Sequence, residues 1–327
     1  MKNLEQLGWG NYKEHIEDTT SPNEIGRVRR VDRGEVDVLT TSGEIRAFSD
    51  SQRAKSITAP VTGDWVKTYV DPEQGYVIDA VLPRYSQIVW RDPAEMERPQ
   101  ILASNIDVVA IVVSADRPIN IARIERLLVL AATSPAEAAF ILTKSDFGIP
   151  TEWNELEQEF PNVHKIETSA LSSVGKPEIN RLLTPNQTLV LLGESGVGKS
   201  TLVNYLAGQK IQETTEVRLK DKKGRHTTTA REMILIPTGG MVIDTPGIRG
   251  VGLWDSEEGI NLVFKSISSI GQKCRFKDCS HKAEPQCAVL EAIQKGSIDS
   301  EKLERYQRLR EEAQEQTESR NRQKRKS

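Results

Sequence analysis

Gly193-Glu194-Ser195-Gly196-Val197-Gly198-Lys199-Ser200 is the stretch that decides the fold. It follows the apolar run Thr188 to Leu192 and opens a helical pattern, Thr201 to Ala207, which Gly208 ends. A glycine-rich loop between a strand and a helix is the context that a phosphate-binding loop requires. The glycines let successive backbone N–H groups curl around a β-phosphate, Lys199 reaches the β and γ oxygens, and the Ser200 hydroxyl can hold Mg2+. The centre of the chain is therefore expected to be α/β, with parallel strands and crossover helices.

Working downstream, Asp244-Thr-Pro-Gly247 ends the apolar run Met241 to Ile243 and lies 44 residues past Ser200. These four residues alone make an ordinary turn. Their spacing behind the phosphate loop gives Asp244 the place of a magnesium-facing carboxylate and the Gly247 N–H that of a γ-phosphate contact. Between the two motifs, Gly224-Arg-His-Thr-Thr-Thr229 offers hydroxyls, one of which could complete the metal shell. Upstream, Thr143-Lys144-Ser145-Asp146 ends the apolar run Ala138 to Leu142 and resembles the guanine-reading Asn-Lys-x-Asp motif of GTPases. An Asp carboxylate accepts hydrogen bonds from guanine N1–H and its 2-amino group, which adenine does not supply, so Asp146 would select GTP over ATP. Lys144 would pack its stem along the base. Thr143 puts a hydroxyl where a carboxamide is usual. Ser169-Ala170, 23 residues past Asp146, resembles the loop whose N–H meets guanine O6. The GTP-binding set is then Thr143, Lys144, Ser145, Asp146, Ser169, Ala170, residues 193–201, Asp244 and Gly247. In ordinary GTPases the guanine motifs follow the phosphate loop; here they precede it, so the domain reads as circularly permuted. The site survives such a rearrangement because its loops all lie at the carboxyl edge of one sheet.

Two further textures flank this centre. Between Asn23 and Val89, runs at 26–31, 35–40, 44–48, 64–70 and 76–82 alternate with turn residues, about five strands at the spacing of an OB-type barrel. Arg27, Arg29, Arg30, Arg33, Arg46, Arg53 and Lys55 make this segment a candidate nucleic-acid contact. Near the other end, Cys274-x4-Cys279-x-His281-x5-Cys287 supplies three thiolates and an imidazole, enough for a closed tetrahedral zinc shell. A closed shell keeps no open position for water, which argues for structural zinc. A charged helix is expected from Ser300 to about Thr317, and the last eight residues carry five Lys or Arg and no acid. The expected fold is thus multi-domain: an N-terminal all-β OB-type barrel over 1–90, a circularly permuted α/β P-loop GTPase over 91–257, and a mainly helical zinc-binding module over 258–327.

Composition excludes several classes. With 327 residues, 37% apolar, 28% charged and a net charge of −3, the chain is neither fibrous nor uniformly basic. The apolar run Val108 to Ala115 is fenced by Asp107 and Asp116 and is far short of the roughly 20 residues a membrane-spanning helix needs. Met1 to Trp9 lacks the apolar core of a secretion signal. Three clustered cysteines suit a metal site in a reducing cytoplasm better than disulfides. Nothing in the sequence signals a dimer, so a monomer is expected.

A small barrel, a permuted GTPase and a compact module with three cysteines and one histidine, in that order, resemble the ribosome small-subunit-dependent GTPase A family over nearly the whole chain. The resemblance implies a factor that binds the small ribosomal subunit and its rRNA late in assembly, and hydrolyses GTP to GDP and phosphate when that particle stimulates it. Many GTPases place a Gln after Asp-x-x-Gly to orient the attacking water; here that position is Ile248, which cannot hydrogen-bond. The resemblance implies that His226 supplies the missing polar group and that Thr228 joins Ser200 and Asp244 on Mg2+, with Lys199 the third catalytic residue. Two other classes fit parts of the pattern: a P-loop ATPase, which Asp146 opposes, and an RNA-binding scaffold in which nucleotide only locks the shape.

Overall fold

The computed structural model describes residues 3–16, 25–32, 34–49, 59–90, 100–212, 231–245 and 252–324. Strands β1 (Ile25–Val31), β2 (Glu35–Thr40), β3 (Gly43–Phe48), β4 (Trp65–Asp71) and β5 (Gly75–Val81) form where β-branched residues alternate with turn formers. Antiparallel pairs β1–β2, β2–β3, β4–β5 and β1–β4, with the parallel pair β3–β5, close them into the expected five-stranded barrel. Val28, Val36, Val38, Ala47, Val66 and Ile78 fill it. Ahead of the barrel stand a 3-10 turn (Leu4–Leu7) and helix α1 (Trp9–His15). Trp9 and Tyr12 of α1 pack on Trp65, with ring centroids 4.7 and 5.9 Å away.

The parallel sheet contains β8 (Val108–Ser114), β9 (Glu137–Thr143), β10 (His164–Glu167), β11 (Thr188–Leu192) and β13 (Met241–Asp244), with β12 (Glu232–Leu235) antiparallel to β13. Its order is β10-β9-β8-β11-β13-β12. The strands β6 (Gln87–Trp90) and β7 (Gln100–Ser104) pair separately. Helices α3 (Thr151–Glu159), α4 (Lys176–Leu182) and α5 (Lys199–Ala207) accompany the sheet, and Ala110, Ile141, Leu191, Leu202 and Val242 share its core. Strand β12 also pairs with β1, through Arg30 opposite Glu232, so barrel and sheet are continuous. At this junction Arg27 is only 1% exposed. Its guanidinium donates to the carbonyls of Leu7, Gly63 (3.3 Å) and Asn105 (2.7 Å) and to Thr188 Oγ1 (2.8 Å), and it lies 5.2 Å from the Trp65 ring. Gly63 is required there: its φ is +96°, and a Cβ would lie 2.2 Å from the Ser104 carbonyl oxygen.

The chain divides into two compact units. The first, Met1–Val89, Gln100–Ile119 and Ser134–Gly250, carries barrel and sheet; the second comprises Trp90–Pro99, Asn120–Thr133 and Val251–Ser327. Helix α2 (Ile121–Ala132) lies in the second, with α6 (Glu257–Val263), α7 (Lys265–Gly271), α8 (Ala288–Gln294) and α9 (Ser300–Lys324). Helix α2 follows β8 in the chain, as a crossover helix of the sheet would, but its polar residues are matched elsewhere. The fully buried Glu125 pairs with Arg305 at 2.7 Å, and Arg126 pairs with Glu312 at 2.6 Å, both on α9. Among the described residues, no helix is long and apolar enough to cross a membrane.

Candidate functional site

The parallel strands end together, so the loops after β8, β9, β10, β11 and β13 share one edge. After β11 the phosphate loop turns through Gly196 (φ +83°) and Gly198 (φ +96°) into α5. Lys199 is buried, and its Nζ donates to the carbonyls of Gly193 (2.8 Å) and Glu194 (2.9 Å), which keeps the ammonium inside the loop's own curl. Ser200 Oγ donates to Asp244 Oδ2 at 3.3 Å, so the two residues assigned to magnesium meet across 44 residues of chain.

The residues assigned to guanine reach the same place. Thr143 Oγ1 faces the carbonyl oxygens of Val113 (3.0 Å) and Val197, the second of these in the phosphate loop. A threonine thus ties the base-reading loop to the phosphate loop through a hydroxyl, with no carboxamide. Bulk at Gly198 would crowd it, since a Cβ there would lie 3.3 Å from Thr143 Oγ1. Ser169 Oγ donates to Asp146 Oδ1 at 2.5 Å, and the Ser145 N–H to the Thr168 carbonyl at 3.2 Å, which joins the two guanine motifs. A cleft of about 560 Å³ opens between these loops, lined by Thr143, Lys144, Asp146, Ala170, Gly198 and Thr201 among others. Sequence reasoning missed five of its residues: Asp116, Thr168, Leu202, and the exposed apolar side chains of Phe147 and Leu171. Asp116 stands two residues past β8 on the sheet's carboxyl edge, a position that was itself a signal. The Lys144 ammonium, 2.5 Å away, holds the Asp116 carboxyl well below the usual carboxylate range.

His226, Thr228 and Gly247 lie outside the described residues, as do Arg33, Arg53 and Lys55 of the barrel. The other barrel arginines carry little support for a phosphate-binding face. Arg27 is buried; Arg29 pairs with Glu44 and Glu232, Arg30 with Asp32, and Arg46 with Asp32, Glu35 and Asp37.

In the second unit, ligand atoms of Cys274, Cys279, His281 and Cys287 all lie within 4.8 Å of one another. Cys274 Sγ is 3.8 Å from Cys287 Sγ, and His281 Nδ1 is 3.6 and 3.4 Å from these two sulfurs. Tetrahedral zinc with bonds of about 2.3 Å to sulfur and 2.0 Å to nitrogen requires edges of about 3.8 and 3.5 Å, so these three donors fit a metal ion of that size, with Cys279 Sγ within 4.8 Å of each. Burial pushes the Cys279 thiol up to about 12 and the His281 imidazole below its ordinary value, so a cation is needed to hold the thiolate while the imidazole stays neutral. The ligand loop is organised by Glu284, whose carboxylate accepts from Ser280 N–H (2.7 Å), Ser280 Oγ (2.5 Å), Lys282 N–H (2.9 Å) and Ala283 N–H (3.1 Å). Gln307 of α9 donates to the His281 carbonyl at 2.9 Å.

The loops assigned to guanine come before the loop assigned to phosphate, and all converge on one sheet edge, with a closed barrel ahead and a Cys3His cluster behind in the chain; this is the arrangement of a circularly permuted GTPase. Comparison with known proteins narrows the class. The family model described as RsgA GTPase matches residues 81–254. A relative from Streptomyces avermitilis, named small ribosomal subunit biogenesis GTPase RsgA, is 40% identical over 87% of this chain and 78% of its own length. YjeQ from Thermotoga maritima superposes with a TM-score of 0.62 at 26% identity, covering 86% of this chain and 95% of that one. A solved structure of YloQ, a circularly permuted GTPase, shares the fold with a TM-score of 0.60 at 22% identity, over 91% of this chain and 95% of that one. The chain belongs to the RsgA GTPase family.

Proposed function

We propose that this chain is a cytoplasmic GTPase that binds the small ribosomal subunit and its rRNA as a monomer, hydrolyses GTP to GDP and phosphate under stimulation by that particle, and serves the subunit's late maturation. The observation that carries the reading is the convergence of Thr143 on the phosphate-loop carbonyl of Val197 with the Ser169–Asp146 bond, which builds a guanine pocket beside a phosphate cradle. Asp146 accepts from the base, Ala170 offers its N–H to the base oxygen, and residues 193–201 wrap the phosphates. Lys199 gives up its loop carbonyls for the β and γ oxygens. Mg2+ held by Ser200, Thr228 and Asp244 would neutralise charge on those oxygens. With Ile248 unable to orient water, His226 takes that task in the complex with the subunit, and intrinsic hydrolysis is slow. Zinc held by Cys274, Cys279, His281 and Cys287 is structural. The functional modules are the barrel (1–90), the GTPase (91–257) and the zinc-binding module (258–327).

The test is phosphate release from GTP and from ATP, with and without purified small subunits. Stimulation confined to GTP and to the small subunit is expected, with stimulated turnover lost in His226→Ala while GTP binding persists. GTP binding without hydrolysis under any stimulus would turn the reading toward a scaffold.

A further inference from the structure

We propose that Asp116 is a positioning residue of the nucleotide site, which holds Lys144 across the cleft so that the lysine stem is laid over the face of the bound base. The proposal rests on the guanine reading above. Asp116 Oδ2 accepts from Lys144 Nζ at 2.5 Å, and its Oδ1 from Ser114 Oγ at 2.7 Å and Arg117 Nε at 3.1 Å. The far end of this cluster is the phosphate loop: Lys144 Nζ lies 3.4 Å and Arg117 Nη2 3.3 Å from the Gly196 carbonyl oxygen. One carboxylate therefore links the end of β8, the base-reading loop and the tip of the phosphate loop.

Three physical points give that link a role in binding. The Lys144 backbone has φ +55°, a left-handed conformation uncommon for a residue with a side chain, so the stem leaves the loop in a fixed direction. A lysine free at its other end samples many rotamers, and ordering them on binding would subtract from nucleotide affinity. Asp116 orders them beforehand. A carboxylate beside a polyphosphate would also repel it; here Lys144 and Arg117 match that charge, so Asp116 acts through the lysine without touching the ligand.

The experiment uses the full chain, fluorescently labelled GDP and IDP, and three variants: Asp116→Ala, Asp116→Glu and Asp146→Ala. Asp116→Ala should release GDP about ten-fold faster, the kinetic equivalent of one well-made charged contact. It should lose GDP and IDP equally, because a stem over the base face ignores the 2-amino group. Asp116→Glu, which keeps the charge, should recover most of the residence time. Asp146→Ala should instead narrow the gap between GDP and IDP. Release from Asp116→Ala within about two-fold of wild type, tighter binding, a change in the GDP-to-IDP ratio, or no recovery in Asp116→Glu would each overturn the positioning role. Wild type that binds no guanine nucleotide would instead remove the reading beneath it.

Discussion

Replacing Arg27 by Met tests how barrel and sheet are joined. The methionine keeps the unbranched stem against Trp65 but withdraws donors from the carbonyls of Leu7, Gly63 and Asn105 and from Thr188 Oγ1. Each buried acceptor left dry costs about 1–3 kcal/mol. Against this stands the relief of not burying a cation, which is real here because burial lowers the Arg27 pKa and, among the described residues, no carboxylate bonds it directly. The Gly63 carbonyl keeps a second donor, Asn105 Nδ2 at 3.1 Å, so up to three acceptors are left dry and the net cost is about 3 kcal/mol. In a unit of this size that lowers the midpoint of thermal unfolding by roughly 6–12 °C. Calorimetry of wild type and Arg27→Met measures it. Arg27→Lys should recover little, because an ammonium on a single point cannot span acceptors spread over the N-terminal turn, the barrel and the sheet. A midpoint within about 2 °C of wild type would refute the reasoning, since at least one buried acceptor must then have gone unsatisfied at no cost.

Thr143→Ala removes the hydroxyl that faces Val197 and should weaken GDP binding about ten-fold, whereas Thr143→Asn, which restores an acceptor and donor at that position, should bind at least as well as wild type by calorimetric titration. Glu284→Ala frees four donors of the ligand loop and should lower metal affinity about 10- to 100-fold in competition with a chromogenic chelator, with no change in the affinity of the first unit for GDP. The metal should also leave on acidification. Burial lowers the His281 pKa in the fold, so the unfolded chain binds the extra proton; the stability this residue lends the second unit is full above about pH 6.5 and declines as pH falls below it. Protons compete for the cysteine thiolates in the same direction, so metal release between pH 7.5 and 5, followed by the same chelator, is the expected course.

The elements that strong local signals define were legible. The Thr188–Leu192 strand falls at the residues read from sequence, because an uninterrupted apolar run fixes it locally. What local signals do not carry is destination. The apolar spacing of Ile121–Ala132 reveals a helix but not that Glu125 would be buried against Arg305, 180 positions away. Arg27 looks like any surface arginine until the buried carbonyls around it are in place. The chain before residue 16 carries Leu4, Leu7, Trp9 and Tyr12 at spacings that suit a helix, yet only the closed barrel supplies the Trp65 surface that orders it. Among site residues the same division holds. The phosphate-loop residues are specified by their own pattern, while Asp116 becomes a site residue only when β8 and β9 are paired side by side and bring it to Lys144.

Permutation has a consequence that follows from where the chain passes between its two units. It first leaves the barrel-and-sheet unit after Val89 and again after Ile119 and Gly250. The second of these exits comes three residues past Asp116, whose carboxylate holds Lys144; the third comes six residues past Asp244, which meets Ser200. The second and third exits thus come, in sequence, shortly after two residues assigned to the nucleotide site, Asp116 and Asp244. In an unpermuted order the residues after Asp-x-x-Gly would lead on to further strands of the same sheet. Here they lead to the metal-binding unit, so a rearrangement at Asp244 has a covalent route to it of only a few residues. The order of the motifs is therefore what makes the metal-binding unit, rather than further strands of the sheet, follow Asp244 along the chain.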